Sequence, residues 1–184
     1  MSVIPPYDRG VTGNEDVRWL DQAEMTAWLR LIAVAERLPG ILDSQLRRDS
    51  GLTHYEYQVL AMLSDAPGRT LRMTHLGLQT NATLPRLSHV VRRLEERGLV
   101  VRAEAPEDRR ASNARLTDEG YAALAGAAPG HVATVREFVL DPLSRAQLDG
   151  LADALGAILR RVDPSGDAPR DPRDVGVAGS RDPD

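Results

Sequence analysis

The sequence predicts a mainly α-helical fold with one small β-hairpin and long helices flanking a compact centre, and three observations carry that expectation. Apolar residues make up 42% of the 184 but aromatic ones only 4%, so aliphatic packing between helices must supply the core. Apolar side chains recur at alternating spacings of three and four in several separate stretches, the period of a helix with one buried face. The period changes in one place, residues 99–117, where two short runs flank a polar tip and read as a hairpin.

The elements follow in order. Residues 1–15 carry Pro5, Pro6, Gly10 and Gly13 with little apolar periodicity and read as a flexible arm. A long helix is expected over 16–48, with Trp28, Leu31, Ala35, Leu38 and Leu42 on one face. Pro39-Gly40 should kink or break it near Leu38, because proline loses the bond to the Ala35 carbonyl and crowds that turn. Thr53 followed by Glu56 is a capping-box signature opening a short helix whose core face is Val59, Leu60 and Leu63. Ala66-Pro67-Gly68 ends it.

Two close helices are then expected at 72–79 and 81–97, the second burying Leu84, Leu87, Val91 and Leu94 and ending at Gly98. Leu99, Val100 and Val101 start a strand, residues 105–110 form the hairpin tip, and 112–117 return with Ala114 and Leu116 inward. A further helix begins near Asp118 and Glu119, carries Tyr121, Leu124, Val132, Val135 and Val139, and should bend or split at Ala128-Pro129-Gly130. The last helix, 144–161, aligns Leu148, Leu151, Leu155 and Leu159. Residues 163–184 contain four prolines and three glycines, too little apolar surface to order themselves. One domain over 16–162 is therefore expected, with its centre at about 53–117.

Composition removes several function classes. With no cysteine, disulfides, thiolate metal sites and thiol switches are excluded. The four histidines, His54, His75, His89 and His131, show no metal-ligand spacing, and no phosphate loop or nucleophile motif is present, so neither an enzyme nor a cofactor is expected. No apolar run approaches the roughly 20 residues of a membrane span and the first ten residues do not resemble a signal peptide, which points to the cytoplasm.

Charge is unevenly spread. The chain carries a net −4, yet residues 69–110 hold nine arginines against five carboxylates. All 23 basic residues are arginine, a pattern to which a coding bias towards arginine codons contributes. A basic segment inside an acidic chain is the electrostatic footprint of a polyanion partner. On the helix expected at 81–97, the face opposite the leucines presents Thr83, Arg86, His89, Arg92 and Arg93, and with Asn81 at the helix start and Ser88 these are the residue types that reach base edges and phosphates from a major groove. A basic helix face alone is more often merely solvated. The hairpin that follows makes it specific: Asp108, Arg109 and Arg110 would put guanidinium groups at a minor groove beside the helix, Asp108 orienting Arg110. This is the layout of a winged helix-turn-helix on double-stranded DNA.

The segments Leu71-Arg72-Met73-Thr74-His75-Leu76, Leu87 through Val100, Pro106-Glu107-Asp108-Arg109-Arg110 and Leu116-Thr117-Asp118-Glu119-Gly120 resemble the MarR family of winged-helix regulators, over about residues 19–159. The resemblance implies a homodimer assembled by the terminal helices, binding a pseudo-palindromic operator, commonly as a repressor, and often released by a small aromatic effector. Family ligand pockets between the dimerisation helices and the DNA-reading centre point to Trp28, His54, Tyr55 and Tyr57. Trp28 would equally serve as packing, and His54 as a surface residue at a helix start. The sequence departs from the family at Pro85, where a serine is usual, which predicts a lost backbone bond inside the recognition helix and an altered sequence preference. The strand 112–116 is poor in β-branched residues, so a mobile wing is expected. The rival reading is a winged-helix interaction module or antirepressor that does not bind DNA, since fold does not fix function.

Overall fold

A computed structural model describes residues 18–105, 108–164 and 166, with the backbone alone at 103–105 and 108–111. The N-terminal arm, the hairpin tip Pro106-Glu107 and nearly all of the C-terminal tail lie outside the described residues. The chain divides into two compact units, Met1–Leu38 and Pro39–Asp184.

The first unit holds most of helix α1 (Gln22–Ser50), which starts several residues later than the sequence indicates. Asp21 sets that start: its carboxylate accepts from the Glu24 N–H at 2.8 Å while the Glu24 carboxylate accepts from the Asp21 N–H at 2.9 Å. Two of the orphan donors of the first turn are thereby satisfied. Trp28, Leu29, Leu31 and Val34 are all exposed within this unit. The expected break at Pro39 does not occur, since α1 is continuous through it. Proline removes one donor, and the Ala35 carbonyl it would have used belongs to an exposed residue that water can reach.

In the second unit, the end of α1 supplies Leu42 and Leu46 to the core. Helix α2 (His54–Asp65) opens on the predicted capping box, with Thr53 and Glu56 exchanging both reciprocal bonds. Its buried face is Val59, Leu60 and Leu63, each fully enclosed. A 3-10 turn at Pro67–Arg69 leads into β1 (Thr70–Arg72), α3 (Met73–Gln79), α4 (Leu84–Glu96), β2 (Val100–Ala105) and β3 (Asp108–Leu116). The sheet is antiparallel in the order β1-β3-β2, so the hairpin gains a third strand that the sequence reading missed. β1 is only three residues long and its alternation is too short to register as a strand.

The rest of the core is Leu52, Met73, Leu76, Leu87, Val91, Leu94, Leu99, Val100, Ala114, Leu116, Leu124 and Ala127. Each fully buried leucine contributes about 1.5–3 kcal/mol relative to exposure. Helix α5 (Asp118–Val135) is not split at Ala128-Pro129-Gly130, and passes into a π-helical turn at Arg136–Leu140. Gly130 has a packing role instead: a Cβ there would lie 2.9 Å from the buried Gln45 amide nitrogen, so a larger residue would have to displace that side chain. Helix α6 (Arg145–Val162) begins at a second capping box, Ser144 with Gln147, and buries none of its residues within the chain.

Candidate nucleic-acid interface

Where α4 begins decides which side chains its first turn presents. The sequence suggests a start at Asn81, but residues 80–83 form a turn and the helix starts at Leu84. Asn81 takes φ +48, a left-handed conformation that asparagine tolerates better than most residues, and this reverses the chain. The Ala82 N–H then donates to the Gly77 carbonyl at 2.9 Å, closing the turn against α3. Thr83 is the extended N-cap and its hydroxyl makes no capping bond.

Pro85 therefore stands at the second helical position and not one turn inside the helix. An N–H at that position has no intrahelical acceptor in any helix, so the predicted loss of a backbone bond is corrected: Pro85 costs α4 nothing. Leu84 is corrected too. It lies outside the buried row of Leu87, Val91 and Leu94 and is 46% exposed.

The outer face of α4 brings together Thr83, Arg86, His89 and Arg92, all exposed. Each of the three basic groups is oriented. The Arg86 guanidinium lies 4.7 Å from the centre of the Tyr55 ring, a cation–π contact. Tyr55 is itself held: the Thr80 hydroxyl gives its one proton to the Leu76 carbonyl at 2.7 Å, so the Tyr55 O–H donates to Thr80 Oγ1 at 2.9 Å. His89 Nδ1 lies 2.9 Å from the Arg92 guanidinium. A guanidinium only donates, so Nδ1 accepts and the neutral ring carries its proton on Nε2, where it offers a donor. Arg92 reaches Glu96 at 3.9 Å while its side chain remains 61% exposed.

Arg93 differs from its neighbours. Its guanidinium lies 3.1 Å from Glu56 Oε1, and Arg97 lies 3.7 Å from Oε2 of the same carboxylate, whose side chain is 1% exposed. Oε2 also accepts from the Thr53 N–H at 2.8 Å. Glu56 thus caps α2 and receives Arg93 of α4 and Arg97 at its C-cap, which ties α4 to the helix beneath it. Ser88 is half-buried and its carbonyl accepts from Arg102 at 2.6 Å. The Arg102 backbone N–H donates to Glu95 at 2.8 Å and its guanidinium pairs with the same carboxylate at 3.1 Å. Strand β2 is thereby tied to α4 through one residue. The sequence reading missed Arg102, Glu56 as a charge partner, and Tyr55 as a platform, because all three act across elements and no local pattern marks such pairs.

The wing residues Asp108, Arg109 and Arg110 belong to β3, paired with β2 from Val100↔Leu116 onward, and their side chains lie outside the described residues. Of the four residues expected to line an effector pocket, two meet a histidine that the sequence reading did not include. Trp28 is 48% exposed in the first unit, and Tyr55 is engaged with Thr80 and Arg86. His54 and Tyr57 instead gather at His131, on α5: the two imidazoles stack with centroids 5.9 Å apart, and the Tyr57 ring is 4.4 Å from His131. His131 Nδ1 is buried without a partner. Burial first, and then the neighbouring His54, push the His131 pKa below its ordinary value of 6.5. Burial does the same to His54, whose backbone N–H donates to the Asp43 carboxylate at 2.9 Å. Among the described residues no cluster of three or more His, Cys, Asp or Glu is placed to hold a metal, and no helix is long and apolar enough to cross a membrane.

Residues 50–111 match the MarR family. The chain is 42% identical to Sco3205, a MarR family transcriptional regulator from Streptomyces coelicolor solved in complex with DNA. The similarity covers 83% of this chain and 95% of that one at a TM-score of 0.77. AbsC, a MarR family regulator from the same organism, is 36% identical over 79% of this chain and 98% of its own, with a TM-score of 0.74. The transcriptional repressor YetL of Bacillus subtilis is 24% identical over 159 residues, 86% of this chain and 94% of YetL.

Proposed function

Because the chain belongs to the MarR family of DNA-binding transcriptional regulators, and is not an enzyme, we propose that it acts as a homodimeric repressor on a pseudo-palindromic operator. The observation that carries this reading is the outer face of α4, where Arg86, His89 and Arg92 are exposed together, while Arg93, Arg97 and Arg102, also solvent-accessible, pair with Glu56 and Glu95 and hold the helix and the first wing strand. An oriented guanidinium on a rigid helix loses less freedom when it meets a base or a phosphate. Arg86 and His89 are assigned to base edges, Arg92, Asn81, Thr83 and Ser88 to the phosphates flanking the first turns, and Asp108, Arg109 and Arg110 to a minor groove. Arg93 is assigned to positioning α4.

Dimerisation is assigned to α6 and the end of α5. Leu155, Ile158, Val162, Val132 and Phe138 are all exposed in the single chain, and a second copy would cover them. Two copies then present their α4 helices to half-sites about 10 base pairs apart, one turn of the duplex. Release by a small aromatic compound is assigned to the neighbourhood of His54, Tyr57 and His131, and the protein to the cytoplasm.

The test is binding of the full-length chain to duplexes selected from a random pool, read by fluorescence anisotropy at two salt concentrations. Counterion release requires affinity to fall steeply with salt, and Arg110→Ala should weaken binding while the dimer persists. Salt-insensitive or absent binding would leave an interaction module as the better reading.

A further inference from the structure

The first turn of α4 carries an apolar surface inside an otherwise polar, basic face. Leu84 is 46% exposed and Leu78, on the last turn of α3, is 55% exposed. Pro85 beside them is exposed as well. Leu84 is not loose: its Cδ2 sits 3.6 Å from where a Cβ on Gly77 would stand, so one branch rests against α3 while the remainder faces outward. The later start of α4 is what turns this residue out of the core row.

An exposed leucine in isolation is ordinary. Three features make this one informative. It occupies the first helical position, the end of a recognition helix that approaches base edges. It stands two residues from Arg86 at the same end of α4, so a duplex that Arg86 contacts passes close to it. The surface it offers, two leucines and a proline ring, holds no donor or acceptor side chain and cannot read a base by hydrogen bonding. In a major groove one base edge suits such a surface: thymine alone presents a methyl group there.

We infer that Leu84 is a specificity-determining residue that packs on the C5-methyl of a thymine, with Leu78 and Pro85 supplying the rest of the apolar contact. This inference rests on the DNA-binding reading above. Pro85 thereby has a role: where a serine would offer a hydroxyl, it extends the hydrocarbon surface and is already shaped for the start of the helix.

The experiment uses the full-length chain and the tightest duplex recovered from the random pool, with each thymine replaced in turn by deoxyuridine, which keeps its pairing and loses only the methyl. One thymine per half-site should show a penalty of about four-fold, the equivalent of one buried methyl group, and the two together about fifteen-fold. Leu84→Ala should bind the thymine duplex more weakly and lose the distinction between thymine and uracil at those positions. Leu84→Met should retain both, and all variants should bind an unrelated duplex as the parent does. Tight, salt-dependent binding with no uracil penalty anywhere, or a penalty that survives intact in Leu84→Ala, overturns the inference and leaves the regulator reading standing. Failure to bind any duplex removes both.

Discussion

The Arg93 guanidinium of the recognition helix lies 3.1 Å from the carboxylate of Glu56 on α2, a group that is almost wholly enclosed. Sequence alone counts Arg93 with the DNA contacts, since it lies on the same helix one residue after Arg92. Its side chain stays 46% exposed but its guanidinium is paired with Glu56, while that of Arg92 is 61% exposed, and the difference between these adjacent arginines can be measured.

Glu56→Gln keeps an acceptor for the Thr53 N–H and removes only the charge, leaving Arg93 and Arg97 without their counter-ion. Both arginines are partly exposed, so the cost is smaller than for a fully buried pair, about 1–2 kcal/mol. Urea unfolding should show a lower midpoint at unchanged slope. Arg93→Ala should lose stability and DNA affinity together with an unaltered salt dependence, whereas Arg92→Ala should reduce the salt slope by about one. Equal slopes for the two variants would return Arg93 to the phosphate contacts.

Gly120 stands at the start of α5, where a Cβ would lie 2.0 Å from the Leu99 carbonyl oxygen. The contact is backbone against backbone, and it is fixed by Thr117, whose N–H donates to that oxygen at 3.2 Å and whose hydroxyl donates to the Gly98 carbonyl. No side chain can move aside to relieve it. Gly120→Ala should destabilise the fold by about 2 kcal/mol or more, read as a drop in thermal midpoint. Gly126→Ala, with open space around it, serves as the control and should be neutral or slightly stabilising.

Stability should depend on pH through the stacked histidines. Burial holds His54 and His131 below their ordinary 6.5, so the folded state favours both rings neutral and the unfolded chain binds protons more readily. The stability they contribute is complete above the unfolded value and is lost as pH falls through it towards the folded values. The thermal midpoint should hold from about pH 8 to 7 and decline between about pH 6.5 and 5. Asp43, whose pKa is lowered first by its bond from Arg47, adds a loss only below its ordinary 3.8. His131→Phe preserves a ring against Tyr57 and should flatten the decline; a curve as steep as that of the parent would remove the histidines as its cause.

Leu155→Asp tests the assembly. A carboxylate at an apolar seam must be desolvated without a partner, so the substitution should shift the protein from dimer to monomer in sedimentation while far-ultraviolet circular dichroism is unchanged. A dimer that persists would place the seam elsewhere.

What the sequence made legible is what short-range physics encodes. The capping box at Thr53 and Glu56, the buried rows on α2 and α4, Gly98 with φ +70 after α4, and the inward Ala114 and Leu116 all depend on residues a few positions apart. The prolines misled because their effect depends on position: Pro85 falls where no bond exists to lose, and Pro39 and Pro129 each sacrifice one bond in a helix held by many others. Leu84 fits the helical period of the core row but stands at a terminus, beyond the layer that covers it. The partners of Tyr55, Glu56 and Arg102 lie 7 to 41 positions away, and hydropathy carries no trace of them.

The tie from Arg102 to Ser88 and Glu95 bears on how such a protein is switched. With the base of the hairpin clamped to α4, the helix and the strand move as one piece, so on the proposed duplex neither shifts without the other. In the proposed dimer, a change in the gap between the two copies would then be enough to put both out of step with the turn of the double helix, with neither piece distorted.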